Sequence, residues 1–162
     1  MGERDAWKIR TAEPDDAEEI SALHRASILS ACASWYHPVQ IRAWVERITP
    51  EVHRQLMADR RTRVALDDGA ISAFCTMTME EAMVNALYVA PFAMHRGAGQ
   101  ALLADAEEAL LTAGRHEVNL HATLNAADFY RWLGYVDVRE ESTRIRGSSV
   151  ALPAIVMRKP LI

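Results

Sequence analysis

The sequence predicts an α/β domain built on a mixed sheet, and three observations carry that expectation. Short apolar runs of strand character recur from Arg63 to the C-terminus. Two of their junctions read as hairpins, at Asp67-Asp68-Gly69 and around Gly147. Between the runs at 83–89 and 118–121 lies the best helical pattern of the chain, which makes one strand–helix–strand unit. Hairpins give antiparallel pairs and the crossover gives a parallel one, so the sheet is mixed.

The elements follow in order. Trp7-Lys8-Ile9-Arg10 alternates and opens the sheet. Pro14 suits a first helical turn, with Asp15 and Asp16 at the positive end, and Ile20, Leu23, Ser27 and Ile28 form the buried stripe. That pattern breaks at Trp35-Tyr36-His37-Pro38. Pro38 starts a short helix carrying Ile41, Trp44 and Val45, and Pro50 starts another, to about Asp59, carrying Val52, Leu56 and Met57. Val64-Ala65-Leu66 enters the hairpin and 71–79 is its return strand, followed by the strand 83–89, which stops at Pro91. In the helix 99–113, Leu103, Ala106, Leu110 and Ala113 share one face, and Gly114 fits the cap. After the strand 118–121, Asn125 is placed to cap a helix carrying Ala126, Phe129, Tyr130 and Leu133, ending at Gly134. The runs 135–145 and 150–159 close the chain as a hairpin.

Composition narrows the function classes. The 162 residues, 50% of them hydrophobic, suffice for one core, and no repeat or linker divides 1–162. A net charge of −4 with no basic run argues against nucleic acid as a partner. Cys32 and Cys75 lie far apart without metal-ligand spacing and read as reduced, buried thiols, so no metal is expected. The start Met1-Gly2-Glu3-Arg4-Asp5-Ala6 holds no apolar signal core and lacks the myristoylation pattern, and no apolar run is long enough to span a bilayer. The expectation is a soluble, cytoplasmic protein with no membrane partner.

Chemistry concentrates in Arg96-Gly97-Ala98-Gly99-Gln100-Ala101, between the strand end Leu87-Tyr88-Val89-Ala90-Pro91 and the long helix. A helix N-terminus offers unpaired N–H groups and partial positive charge, which suits a phosphate. Small residues at 97, 98, 99 and 101 let a diphosphate approach, and Arg96 adds a forked cation. No Gly-Lys-Ser/Thr follows, which excludes a nucleoside triphosphate loop, and Leu102 stands where a dinucleotide fingerprint needs its third glycine.

Arg96 to Ala101 resembles the Q/R-x-x-G-x-G/A signature of the GNAT superfamily of acyl-CoA-dependent N-acyltransferases. The resemblance extends to Leu87-Tyr88-Val89-x-Pro91, to the Asn125…Phe129-Tyr130…Leu133-Gly134-Tyr135 block and to Val156-Met157-Arg158-Lys159. It implies a GNAT-like, mostly antiparallel sheet of about seven strands, flanked by helices and splayed between strands at 83–89 and 116–121. It implies acetyl-CoA as co-substrate and a primary amine of a small molecule or peptide as acceptor. It places the pantetheine arm in the splay against Leu87, Tyr88 and Val89, and the pyrophosphate on Arg96, Gly97, Ala98, Gly99, Gln100 and Ala101. Asn125 and Tyr130 then approach from the other side, and the Leu87 N–H becomes the oxyanion donor.

By the same resemblance Tyr130 is the acid for the departing thiolate. The position matching the family's glutamate base is Met83, which cannot serve. Glu81, two residues earlier on the same strand face, and His121, on the neighbouring strand, are the remaining candidates. Trp35, Tyr36 and His37, with Trp44 nearby, are the candidates for an acceptor wall. The missing carboxylate keeps a second class open, a non-catalytic CoA-binding sensor or scaffold. The apolar terminal hairpin (Val150, Leu152, Ile155, Val156) offers an edge through which a homodimer could form.

Overall fold

The computed structural model describes residues 7–162, so the expectation of no signal segment, which rests on Met1 to Ala6, lies outside them. Seven strands are β1 (Lys8–Thr11), β2 (Arg61–Asp67), β3 (Ala70–Thr78), β4 (Met83–Val89), β5 (Glu117–Thr123), β6 (Val136–Arg144) and β7 (Ala151–Pro160). Five helices are α1 (Ala17–Ser27), α2 (Pro38–Glu46), α3 (Pro50–Asp59), α4 (Ala98–Thr112) and α5 (Ala127–Trp132). The strands form one sheet in the order β1-β2-β3-β4-β5-β7-β6. Only β4 and β5 run parallel, as the single crossover requires. The sheet is thus mixed and mostly antiparallel, and helices cover both faces.

Local chemistry explains the elements. Asp68 and Gly69 both have positive φ, 52° and 83°, which is the geometry of a two-residue hairpin turn twisted to suit its strands. Thr49 accepts from the Val52 N–H and caps α3, while His37 accepts from the Val39 N–H and caps α2, each ahead of a proline at the first helical position. At the end of α4, Arg115 donates to the Leu110 carbonyl and Gly114 to that of Leu111, both at 2.9 Å, the paired bonds of a Schellman cap.

Alternation along β3 sorts the core. Ala73, Cys75 and Met77 face α4, whose Leu102, Leu103, Ala106 and Leu110 are buried with them. Ala113, expected on that stripe, is exposed at the helix end. Phe74 faces α1 and packs with Ile20 and Leu23. A third cluster joins Ile28, Cys32, Tyr36, Ile41 and Ile48 beneath Leu124 and Leu152. The first helix does not break cleanly before Trp35; it widens into a π turn over Ile28–Cys32. That turn buries Ile28 and Cys32.

Two irregularities position the site. The β3–β4 register jumps from Met77↔Val84 to Thr76↔Ala86, so Asn85 is an extra residue, a bulge in β4. The β4–β5 pairing holds only at Met83↔Asn119 and Val84↔Leu120. Beyond Val84 the two strands diverge.

Candidate functional site

The divergence leaves donors without partners. Ala90 donates to the Ser72 carbonyl at 2.8 Å, which fixes the direction of the N–H groups along this end of β4. By alternation, Tyr88 and Ala86 point theirs toward β3, while Leu87 and Val89 point theirs into the gap. A chain laid in the gap can take those bonds as a missing strand would.

A cleft of about 550 Å³ opens there. Leu87, Tyr88 and Val89 form one wall, the segment from Met94 to Gln100 another, and Thr123, Asn125, Phe129 and Tyr130 the wall opposite. Ser27, Ala31 and Cys32, from the end of α1 and the π turn, close the far end. A much smaller space of about 30 Å³ lies in the gap itself, between Asn85, Leu87, His121, Thr123 and Tyr130.

The phosphate-loop residues come together as a helix start. Gly97 is the N-cap of α4 with φ of 91°, a left-handed conformation costly for any residue with a Cβ, and no side chain caps the helix. The Ala101 N–H bonds the Gly97 carbonyl at 3.0 Å, so the donors left for a ligand belong to the residues before it. Gly99 has a different reason from the one its motif position suggests. An added Cβ would lie 3.3 Å from Val89 Cγ2 and 3.6 Å from Phe129 Cζ, so this glycine lets α4 pack against β4 and α5. Arg96 is braced, with Nη2 2.8 Å from Asp67 Oδ2 and its guanidinium 5.4 Å from the centre of the Trp7 ring.

Tyr130 lines both spaces, and its ring is buried beside Phe129 and Tyr135. Burial pushes its phenol well above the ordinary value, so it holds its proton. Asn125 does not cap α5. The cap position is Ala126, and Asn125 instead accepts from Cys32 Sγ at 3.3 Å, because the β5–α5 loop turns its side chain into the cleft toward the π turn. The Cys32 thiol is pushed up to about 12 by burial, which keeps it a neutral donor.

The candidate bases separate. Glu81 is not on a strand face; it sits in the turn between β3 and β4. It is exposed and lines a different cleft, toward α3, because the strand begins only at Met83. His121 stands at the gap on β5. The expected acceptor wall also divides. Tyr36 is buried, and its hydroxyl donates to the Pro153 carbonyl at 2.8 Å and accepts from the Leu124 N–H at 3.0 Å, which ties α2 to β7 and to the β5–α5 loop. His37 is the α2 cap, and Trp35 is exposed outside the cleft. None of the three lines the cleft.

Sequence reasoning missed Cys32, Asn85 and Phe129. Phe129 had a signal in its helical spacing beside Tyr130. Asn85 had none, since a bulge leaves no periodic trace. Among the described residues no cluster of three or more His, Cys, Asp or Glu is arranged to hold a metal. No helix there is long and apolar enough to cross a membrane.

Comparison with known proteins agrees with this geometry. A family described as acetyltransferase (GNAT) domain matches residues 32–153. The uncharacterized N-acetyltransferase YafP of Escherichia coli (strain K12) is 24% identical over 141 residues, covering 87% of this chain and 89% of that protein. A GCN5-related N-acetyltransferase structure from Rhodopseudomonas palustris, described as an aminotransferase, class-II, superposes with a TM-score of 0.90 at 25% identity over 99% of both chains. The PaiA N-acetyltransferase of Thermoplasma acidophilum, solved in complex with coenzyme A, superposes with a TM-score of 0.76 at 23% identity, covering 95% of this chain and 98% of that one.

Proposed function

The chain belongs to the GNAT acetyltransferase family, and from that premise we propose that residues 1–162 form one N-acetyltransferase domain that moves an acetyl group from acetyl-CoA to a primary amine by direct attack. The observation that carries this reading is the gap between β4 and β5, with the N–H groups of Leu87 and Val89 facing it beside the uncapped start of α4.

Acetyl-CoA, when bound, supplies the electrophilic acyl carbon; the rest is the work of this chain. Ala98, Gly99 and Gln100 offer backbone donors to a diphosphate, with Arg96 alongside. The Leu87 and Val89 N–H groups orient the pantetheine arm. The Leu87 N–H is placed to stabilise negative charge developing on the carbonyl oxygen, in a site where such bonds are stronger than in water. The carbon–nitrogen bond forms as the carbon–sulfur bond breaks. The amine sheds one proton, to His121 or to water held in the small space beside it. Tyr130 donates a hydrogen bond, then a proton, to the departing sulfur and is reprotonated from solvent. A buried phenol is a weaker acid than a thiol, whose ordinary pKa is about 8.5, so the hydrogen bond to sulfur carries most of its contribution.

The buried, unpaired thiols of Cys32 and Cys75 suit a reducing, cytoplasmic setting. A homodimer belongs to the same reading, supported by β6 being an open sheet edge with Val136 and Val138 exposed. Incubation with acetyl-CoA and a panel of amines, read by thiol release and by the mass of the product, tests the proposal. An acetylated amine formed only with enzyme supports it. Acetyl-CoA binding without turnover of any amine overturns it in favour of a CoA-binding scaffold.

A further inference from the structure

A second cleft, of about 390 Å³, lies between α3, the β3–β4 turn and the tip of the β6–β7 hairpin. Its charges are not evenly spread. Asp59, Arg60 and Glu81 gather where α3 meets the β3–β4 turn and leave one net negative charge there. The same cleft is lined by Arg47, the residue that closes α2, and by Arg146 from the hairpin tip. The two come together because Gly147 packs on Arg47; a Cβ there would lie 3.8 Å from Arg47 Nη1. Among the described residues neither arginine has a carboxylate within 4.0 Å.

The cleft borders the reaction centre. Thr78 lines the second cleft and donates to Asn85 Oδ1 at 2.8 Å, and Asn85 lines the small space at the gap. The fixed Asn85 carbonyl leaves its NH₂ free to face a ligand passing between the two. From the other side, the Trp44 ring is 6.4 Å from that of Tyr88, which borders the acetyl-CoA cleft. Arg47 follows Trp44 by three residues, about 4.5 Å along the helix axis. An acceptor whose amine sits in the gap can therefore extend past Asn85 and Thr78 into the cleft that Arg47 and Arg146 line.

We infer that the acceptor is an elongated amine with an anionic group at its far end, a carboxylate in the first instance, received by Arg47 and Arg146. This rests on the acetyltransferase reading and narrows its acceptor. Paired guanidiniums bind a carboxylate through charge-assisted, forked bonds, and neither has a carboxylate among the described residues to give up first. An ω-amino acid or a short peptide with a free C-terminus holds its amine and carboxylate further apart than a simple α-amino acid does, as two separate sites require.

The test compares matched acid and amide forms of three amines: ε-aminocaproate and its amide, lysine and lysinamide, trialanine and trialaninamide. The KM for the acid form of at least one pair should be about tenfold below that of its amide, and Arg47→Gln or Arg146→Gln should bring that ratio close to one. CoA affinity and melting temperature serve as fold controls. Equal KM values for acid and amide in every pair overturn the inference. Calorimetric titration of the CoA-loaded protein with the same compounds needs no turnover. Acid-selective binding lost in the arginine variants sustains the anion site even if no amine is acetylated, a result that would defeat only the transferase reading. No acid-selective binding at millimolar concentrations overturns the site itself.

Discussion

Lowering the pH from about 7 to about 5 should cost this protein a measurable part of its stability, because two histidines are buried uncharged at the heart of the α1 face. His24 on α1 and His53 on α3 meet at 3.1 Å, Nδ1 to Nε2, and both rings pack edge-on against Phe74. The His24 ring also lies 4.2 Å from that of Tyr88, and its Nε2 is buried with no partner among the described residues. Desolvation holds His24 well below its ordinary value, with His53 adding to the effect. Desolvation also brings His53 down to about 4. The unfolded chain takes up these protons near pH 6.5, so between the two values it binds more protons than the fold. Stability is therefore complete above about pH 7 and declines as the pH falls through 6.5 toward 4. For His53 alone, the gap from about 6.5 to about 4 at 1.36 kcal/mol per unit is about 3 kcal/mol, of which about 2 kcal/mol is lost by pH 5. Asp16 and Asp137, held low by Arg10 and Arg131, act in the same direction but only below about pH 4. The assay is urea unfolding at a series of pH values, with the double variant His24→Phe, His53→Leu as the reference. The wild type should lose stability in this window while the variant stays flat. Parallel curves would refute the claim that the pair is buried neutral.

Tyr130→Phe keeps the buried ring and removes one hydroxyl, so kcat should fall between about tenfold and a hundredfold with CoA affinity nearly unchanged. Full turnover would return Tyr130 to the core, and a matching loss of affinity would make it a binding residue. Glu81→Gln should leave kcat/KM untouched, since Glu81 lines a different cleft, whereas His121→Gln should lower it if His121 takes the amine proton. A rate that falls with Glu81→Gln instead would reverse that assignment.

Much of the fold was legible because it obeys local rules. Pro38 and Pro50 mark helix starts, Asp68-Gly69 marks a hairpin, and β4 spans 83–89 as its apolar run suggests. The loop before α4 was legible for the same reason, since glycine at a strand–helix junction has few readings. What escaped was set by the third dimension. Asn125 was expected to cap α5, and a neighbour 93 positions away takes its carbonyl instead. Tyr36 and His37 suggested a ligand wall by composition, yet one is bonded across the fold to Pro153 and Leu124 and the other to its own helix. The bulge at Asn85 and the meeting of Arg47 with Arg146 depend on register and on a hairpin tip crossing the molecule, and periodicity records neither.

Calorimetric titration of acetyl-CoA into the wild type and Gln100→Glu shows whether the start of α4 and the neighbouring gap hold acetyl-CoA. Gln100 is exposed in the first turn of α4 and borders the cleft. A carboxylate there is favoured by the helix dipole by about 0.3–1 kcal/mol, so the fold should hold, yet it sets a negative charge against the diphosphate. Binding to the wild type should be saturable, and the variant should bind at least about tenfold more weakly, with an unchanged or higher melting temperature. Equal affinity in a folded variant, or no binding to the wild type, would contradict it.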